Sequence, residues 1–113
     1  MNMRIFFLLS IFASLHMLIQ AHGITLYQHR GHRGDVYDLH SNSGQCVNVV
    51  GHFNDRTSSI STHGQCFYLY RDKDCTGERV EVSLRKSNQC DHGRLSKCGA
   101  IDFNDKLTSV KAC

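Results

Sequence analysis

The 113-residue chain contains no proline, and beyond residue 23 no stretch shows helical spacing of apolar residues. Its turns must therefore come from nine glycines and from Asn, Asp and Ser. A run of about 20 apolar residues is also lacking, so no segment reads as a transmembrane helix. Nor is there an excess of one charge. Beyond residue 23, twelve Lys and Arg face ten Asp and Glu, interleaved rather than clustered, which argues against nucleic-acid binding. No two cysteines have Cys-x-x-Cys spacing, which leaves a zinc or redox reading weak. Gly-x-Ser-x-Gly, His-Glu-x-x-His and any conspicuous carboxylate pair are missing, so the chain does not read as an enzyme.

What is present begins with a leader. Met1 to Arg4 make a short positive start, and Ile5 to Ile19 are apolar apart from Ser10, Ser14 and His16. Ala21 and Gly23 set small residues at the −3 and −1 positions of a cut before Ile24. Residues 1–23 thus read as a secretory signal peptide, with an apolar run too short for an anchor. The mature chain is expected to be one extracellular domain over residues 24–113. All six cysteines, Cys46, Cys66, Cys75, Cys90, Cys98 and Cys113, fall in that part. An even count in a short secreted chain reads as three disulfides, each adding about 2–4 kcal/mol to a domain with a modest core. Six cysteines allow fifteen pairings, and these remain open at this point.

Strand alternation replaces helical spacing. Ile24 and Leu26 alternate, followed by Val36 and then Tyr37 and Leu39 on one phase; Phe67 and Leu69, and Val80 and Val82, alternate later. Turn signals at 31–34, 41–44, 64, 72–77 and 87–93 separate these runs. Short, evenly spaced strands of this kind predict an all-β sandwich or barrel.

The chain also repeats itself. Leu26, Tyr27 and Gly34 recur as Leu69, Tyr70 and Gly77, and Asp35 to Leu39 map onto Glu78 to Val82, all 43 residues later. Phe53-Asn54-Asp55-Arg56-Thr57-Ser58-Ser59-Ile60 recurs 50 residues later as Phe103-Asn104-Asp105-Lys106-Leu107-Thr108-Ser109-Val110. The extra residues of the second unit therefore lie between Val82 and Phe103, around Cys90 and Cys98. Two similar units result, 24–61 and 66–113, and neither alone can cover both faces of a small sheet. They are expected to pack together as one sandwich.

Each copy of the octapeptide is rich in oxygen: an amide, a carboxylate and two hydroxyls between apolar ends. Hard cations such as Ca2+ take about 6–8 oxygen ligands, more than one copy supplies, so a site here must borrow oxygens or keep waters. The competing reading is that Asn-Asp-x-x-Ser-Ser only forms Asx and Ser/Thr turns entering a strand.

With these motifs in view the chain resembles the βγ-crystallin superfamily. The segment Ile24 to Gly34 is similar to that family's first-hairpin signature, and Asn54 to Ser59 and Asn104 to Ser109 both fit its calcium signature. The resemblance covers essentially all of residues 24–113. His32 and Cys75 stand where the family has a second aromatic before the hairpin glycine. The resemblance implies two Greek keys packed as one βγ-crystallin-type sandwich, disulfide-stapled and without catalytic residues. It also implies calcium clamped between the units. The ligands would be carbonyls of Arg56 or Lys106, hydroxyls of Ser58 and Thr108, carboxylates of Asp55 and Asp105, and a carbonyl from the opposite unit's first hairpin. Asn54, Ser59, Asn104 and Ser109 complete the two signatures. Few carboxylates, with Arg56 and Lys106 beside them, point to affinity of about 10⁻⁴–10⁻³ M or somewhat tighter. In the family's sheet the first and last strands of a unit are antiparallel neighbours, which implies Cys66–Cys113, then Cys75–Cys90 and Cys46–Cys98. A Cys46–Cys113 pairing, suggested by small antimicrobial proteins of similar shape, is the alternative.

Six histidines beyond the leader, including His29-x-x-His32, raise the question of zinc, but all sit in turn-like contexts and read as solvated surface. The leading functional expectation is a secreted monomeric module whose partners are calcium ions, bound for stability or low-affinity sensing, with no nucleic acid. A membrane or cell-surface target is left open. The second expectation is a secreted antimicrobial or killer-toxin-like defence protein, and the third a structural or matrix protein.

Overall fold

The computed structural model describes residues 21–83, 90–99 and 101–113. Residues 1–20, and with them most of the expected leader, lie outside that description. Seven strands follow in order: β1 (Ala21–His29), β2 (Arg33–Asn42), β3 (Cys46–Asn48), β4 (Ser59–Ser61), β5 (Phe67–Asp72), β6 (Thr76–Val82) and β7 (Ser109–Ala112). Single 3-10 turns occupy Gly51–Phe53 and Lys73–Cys75. The first sheet has the order β2-β1-β4 and the second β3-β7-β5-β6. All the strand pairings within them are antiparallel.

The two repeats exchange a strand. β3 belongs in sequence to the first unit but pairs with β7 of the second, Val47 opposite Val110. In return, the backbone of the second unit's long loop reaches β4. The Ile60 amide donates to the His92 carbonyl at 2.8 Å, and the Leu95 amide donates to the Ser58 carbonyl at 3.0 Å. Each sheet is thus completed by chain from the other unit, and the expected single sandwich is what forms. Its filling follows the strand alternation. Ile24, Leu26, Ile60, Phe67, Leu69, Val82 and Val110 are buried from the sheets, and Phe53, Leu95, Phe103 and Leu107 from the loops. Burying each such side chain contributes about 1.5–3 kcal/mol. Val36 lies on the solvent side.

The disulfides follow the exchange. Cys66–Cys113 joins the start of β5 to the end of β7, where Phe67 is opposite Ala112. The other two expected bonds, Cys75–Cys90 and Cys46–Cys98, are corrected to Cys46–Cys75 and Cys90–Cys98. The alternative Cys46–Cys113 is excluded as well, because both cysteines are otherwise paired. The physical reason is β3. By crossing to the second sheet it brings Cys46 against the β5–β6 hairpin that carries Cys75. There Asn48 and Asp74 exchange two hydrogen bonds, of 3.0 and 2.7 Å. The long loop lies instead along β4, so Cys90 finds Cys98 within its own loop, to which it is also bridged through the backbone.

The first hairpin of each unit folds back on itself in the same way. Gly34 and Gly77 have φ of +85° and +78°, in the left-handed region. A Cβ on Gly34 would lie 2.6 Å from the His29 ring, and one on Gly77 would collide with the Asp72 carboxylate. Only glycine fits either place. His32 supplies the missing aromatic contact of the first hairpin, packing edge-on against Tyr27 with ring centroids 5.0 Å apart. In the second hairpin Cys75 is tied down by its disulfide instead.

Candidate metal centre

The two octapeptides leave the core at Phe53 and Phe103 and re-enter it at Ile60 and Val110, all buried. Between these anchors each loop turns through a left-handed aspartate, Asp55 at φ +59° and Asp105 at φ +56°. Asp tolerates that conformation better than most side chains. The turn is closed by the next amide, Arg56 donating to the Phe53 carbonyl at 3.1 Å and Lys106 to that of Phe103 at 3.0 Å. The loops then hold one another. The Asp105 amide donates to the Thr57 carbonyl at 3.0 Å, and the Asp55 amide to the Leu107 carbonyl at 3.4 Å. Thr57 and Leu107, the variable positions of the motif, are fully buried and carry this crossing. Spacing alone gave no sign of that role.

The exchange sets each hydroxyl of one loop against the carboxylate of the other. Thr108 Oγ1 lies 3.0 Å from Asp55 Oδ1, and Ser58 Oγ lies 3.3 Å from Asp105 Oδ1. Around Thr108 the crowding of oxygens is greater, because the Lys106 carbonyl is also 3.2 Å from the same hydroxyl. Two acceptors share one hydroxyl proton. Such a surplus of lone pairs favours a cation. Asp55 and Thr108 line an open cleft of about 700 Å³, with Asn54, Asn48, Asp72 and Thr76 adding oxygens and Arg71 and Lys73 adding positive charge. Arg71 is drawn partly away by Glu78 at 2.9 Å. The hairpin wall belongs to the same unit as Thr108 and to the opposite unit from Asp55. The other loop pair is poorer in free oxygen, since Asn104 Nδ2 already donates to Asp105 Oδ2 at 3.3 Å.

The final serines of the two signatures do something else. Ser59 Oγ donates to the His29 carbonyl at 2.6 Å and accepts from the His32 amide at 3.1 Å. Ser109 Oγ donates to the Asp72 carbonyl at 2.5 Å and accepts from the Cys75 amide at 3.0 Å. Both are fully buried latches that hold the folded hairpins of their own units. Of the signature residues, Asn54, Asp55 and Thr108 line the cleft, the Lys106 carbonyl lies 3.2 Å from the Thr108 hydroxyl, and Asp105 and Ser58 form the equivalent pair across the pseudo-twofold. Arg56 is exposed beside the cleft, and Asn104 caps a carboxylate. Sequence reasoning missed Asn48, Asp72 and Thr76 on the cleft wall, because it read Asp72 and Thr76 only as part of a turn and gave Asn48 no element.

Elsewhere, the tightest grouping of metal-ligand atoms among the described residues is Cys66, Glu81 and Cys113, and its two sulfurs are joined in a disulfide. His92 is half-buried at the junction of the units. Burial lowers its pKa below the ordinary histidine value, outweighing the upward pull of Asp91, and the neighbouring His32 adds a smaller lowering.

An exchanged strand, two folded hairpins and two crossed loops define the βγ-crystallin fold. Solved structures agree. The chain is similar to a βγ-crystallin from Ciona intestinalis, with 22% identity and a TM-score of 0.63, covering 80% of this chain and 99% of that one. A βγ-crystallin from an archaeon is similar at 16% identity and a TM-score of 0.62, covering 83% of this chain and all of the other. The N-terminal domain of Protein S superposes with a TM-score of 0.53 at 16% identity, over 80% of this chain and 94% of that one. By sequence, no protein family matches the chain and no curated protein is similar to it.

Proposed function

We propose that this protein is a secreted, disulfide-stapled binding module that takes up calcium between its two Greek keys, chiefly at Asp55, Thr108 and the Lys106 carbonyl. The observation that carries this reading is the crossing of hydroxyl and carboxylate between the loops, with two acceptor oxygens gathered round the single Thr108 proton. A bound calcium ion would supply positive charge shared by both units; the residues of the chain bring oxygens from each unit to one place. Asp105 and Ser58 would serve a second, weaker site. The cationic wall of Arg71 and Lys73 supports weak affinity, in the range of extracellular calcium modules. Calcium would thus act on stability or as a low-affinity signal rather than in catalysis.

The three disulfides fit an oxidising compartment, and secretion follows from the leader. β1 begins at Ala21, within the expected leader, with Ala21 to Gly23 opposite Asn42 to His40. Amino-terminal sequencing of secreted material is expected to give Ile24, and a soluble product that keeps Met1 would refute processing. For calcium, melting curves with calcium and with chelator are the test. A ligand at a hundredfold excess over Kd stabilises by about 2.7 kcal/mol, and a domain this small gains about 4–8 °C per kcal/mol. Superimposable curves at millimolar calcium would leave the loops as turn-formers and move the reading to a defence protein.

A further inference from the structure

We propose that the outer face of the first sheet carries a separate site for a borderline divalent transition metal, Cu2+ or Zn2+, with His40 and His63 as ligands. The strand register creates it. Gly23 of β1 is opposite His40 of β2, and Thr25 is opposite Asp38 on one side and Ser61 of β4 on the other. Asp38 and His40 share the outward phase of β2, since Leu39 between them is buried. His63 lies just beyond β4 at φ +53°, and its ring comes over the same face. These groups line a cleft of about 300 Å³ on the side of the molecule formed by the first sheet.

Both imidazoles lean over one bare spot. A Cβ on Gly23 would lie 3.7 Å from Nδ1 and from Cε1 of His40, and 4.0 Å from Cδ2 of His63. The absence of a side chain there leaves the space between the two exposed rings open, so that the His40 ring, which makes no hydrogen bond among the described residues, is free to turn outward toward the ligating nitrogen of His63.

Beneath the rings a hydrogen-bond chain decides which nitrogen of His63 is available. Thr25 Oγ1, 7% exposed, lies 2.6 Å from Asp38 Oδ1 and 2.8 Å from His63 Nε2. A carboxylate only accepts, so the one Thr25 proton goes to Asp38; the reverse would leave two bare oxygens in contact. His63 Nε2 must then be the donor to Thr25, and Nδ1 carries the lone pair. The Nε2–Cδ2 edge faces the sheet, so Nδ1, at the opposite vertex of the ring, faces away from it. This is a carboxylate–hydroxyl–imidazole relay of the kind that orients a metal-ligating histidine from behind. His40 has neither ring nitrogen engaged among the described residues. Imidazole nitrogens select Cu2+, Zn2+ or Ni2+ over Ca2+, so the site is chemically distinct from the oxygen-lined loops. Waters complete the coordination shell. Thr25, Asp38, His40 and His63 all lie beyond the expected leader cut, and Ile24 lines the same cleft.

The test is calorimetric titration of the disulfide-intact secreted protein with Cu2+ and with Zn2+, in millimolar calcium. One site is expected, with Cu2+ tighter than Zn2+. H40A, at an exposed position without a hydrogen bond among the described residues, should keep the melting temperature, and H40A and H63A should each lose most of the affinity. T25V should weaken binding by about tenfold through loss of the relay, and T25S, which restores the hydroxyl, should recover it. Unchanged affinity in the H40A/H63A double variant, or no binding in the wild type, would overturn the proposal. Full affinity in T25V would overturn the relay.

Discussion

At the scale of single residues, the two halves of the repeat are alike in sequence and unlike in chemistry. Asp55 faces an open cleft beside the oxygen-crowded Thr108 hydroxyl, whereas Asp105 is capped by the Asn104 amide. Asp55→Ala is therefore expected to weaken calcium binding by about tenfold or more, equivalent to 1.4 kcal/mol per decade. Asp105→Ala should weaken it less, and calorimetry on the two variants decides the order. Ser59 and Ser109 act on a different quantity. Each bridges a buried carbonyl and amide of its hairpin. Ser→Ala at either position strands those groups, costing about 1–3 kcal/mol. Chemical denaturation in chelator should show this loss undiminished, because no ion takes part. Serine at the end of the signature was readable as part of an oxygen set. Its actual partner was not readable, because His29 and Asp72 lie about 30 or more residues away in sequence.

At the scale of elements, the informative piece is the shortest. β3 spans only Cys46–Asn48, too few residues for an alternation that sequence can display. The longer strands were legible from period-two patterns, and the hairpins from repeated glycines at a fixed offset. The crossing of β3 was not, since it rests on pairing with β7 more than 60 residues on. Two of the three disulfides went unread for the same reason: Cys46 was placed without knowing which sheet its strand joined. A consequence is testable. Cys46–Cys75 links the units covalently across the exchange, so the Cys46→Ser/Cys75→Ser pair should lose about 2–4 kcal/mol in chemical denaturation. The Cys90–Cys98 bond closes a loop with a sequence separation of only 8 and should matter less to global stability.

At the scale of the whole molecule, the two keys are held by a core, an exchanged strand and crossed loops, and His92 sits where they meet. Its carbonyl receives the Ile60 amide, while its ring is half-buried with Nε2 unpartnered. Its pKa is lowered by burial, which outweighs the upward pull of Asp91, with a smaller lowering from His32. An unfolded histidine titrates near 6.5, so the unfolded chain takes up a proton before the folded one does. Stability is then whole above about pH 6.5 and declines as the pH falls through the lower folded value. Melting temperature should drop between neutral and mildly acidic pH, and His92→Gln should flatten that drop. The pairing of repeats was legible in the sequence because both loops and both hairpins recur at constant offsets. Which oxygens converge was not, because convergence is set by the exchange of strands between units.

Calorimetric titration of the disulfide-intact protein with calcium is the most direct test of the crossed loops as a cation site. Two sites of unequal affinity are expected in the wild type, the tighter one weakened about tenfold or more by Asp55→Ala and the weaker one weakened by Asp105→Ala. No heat up to millimolar calcium, or affinities unchanged by both substitutions together, would contradict calcium binding at these loops.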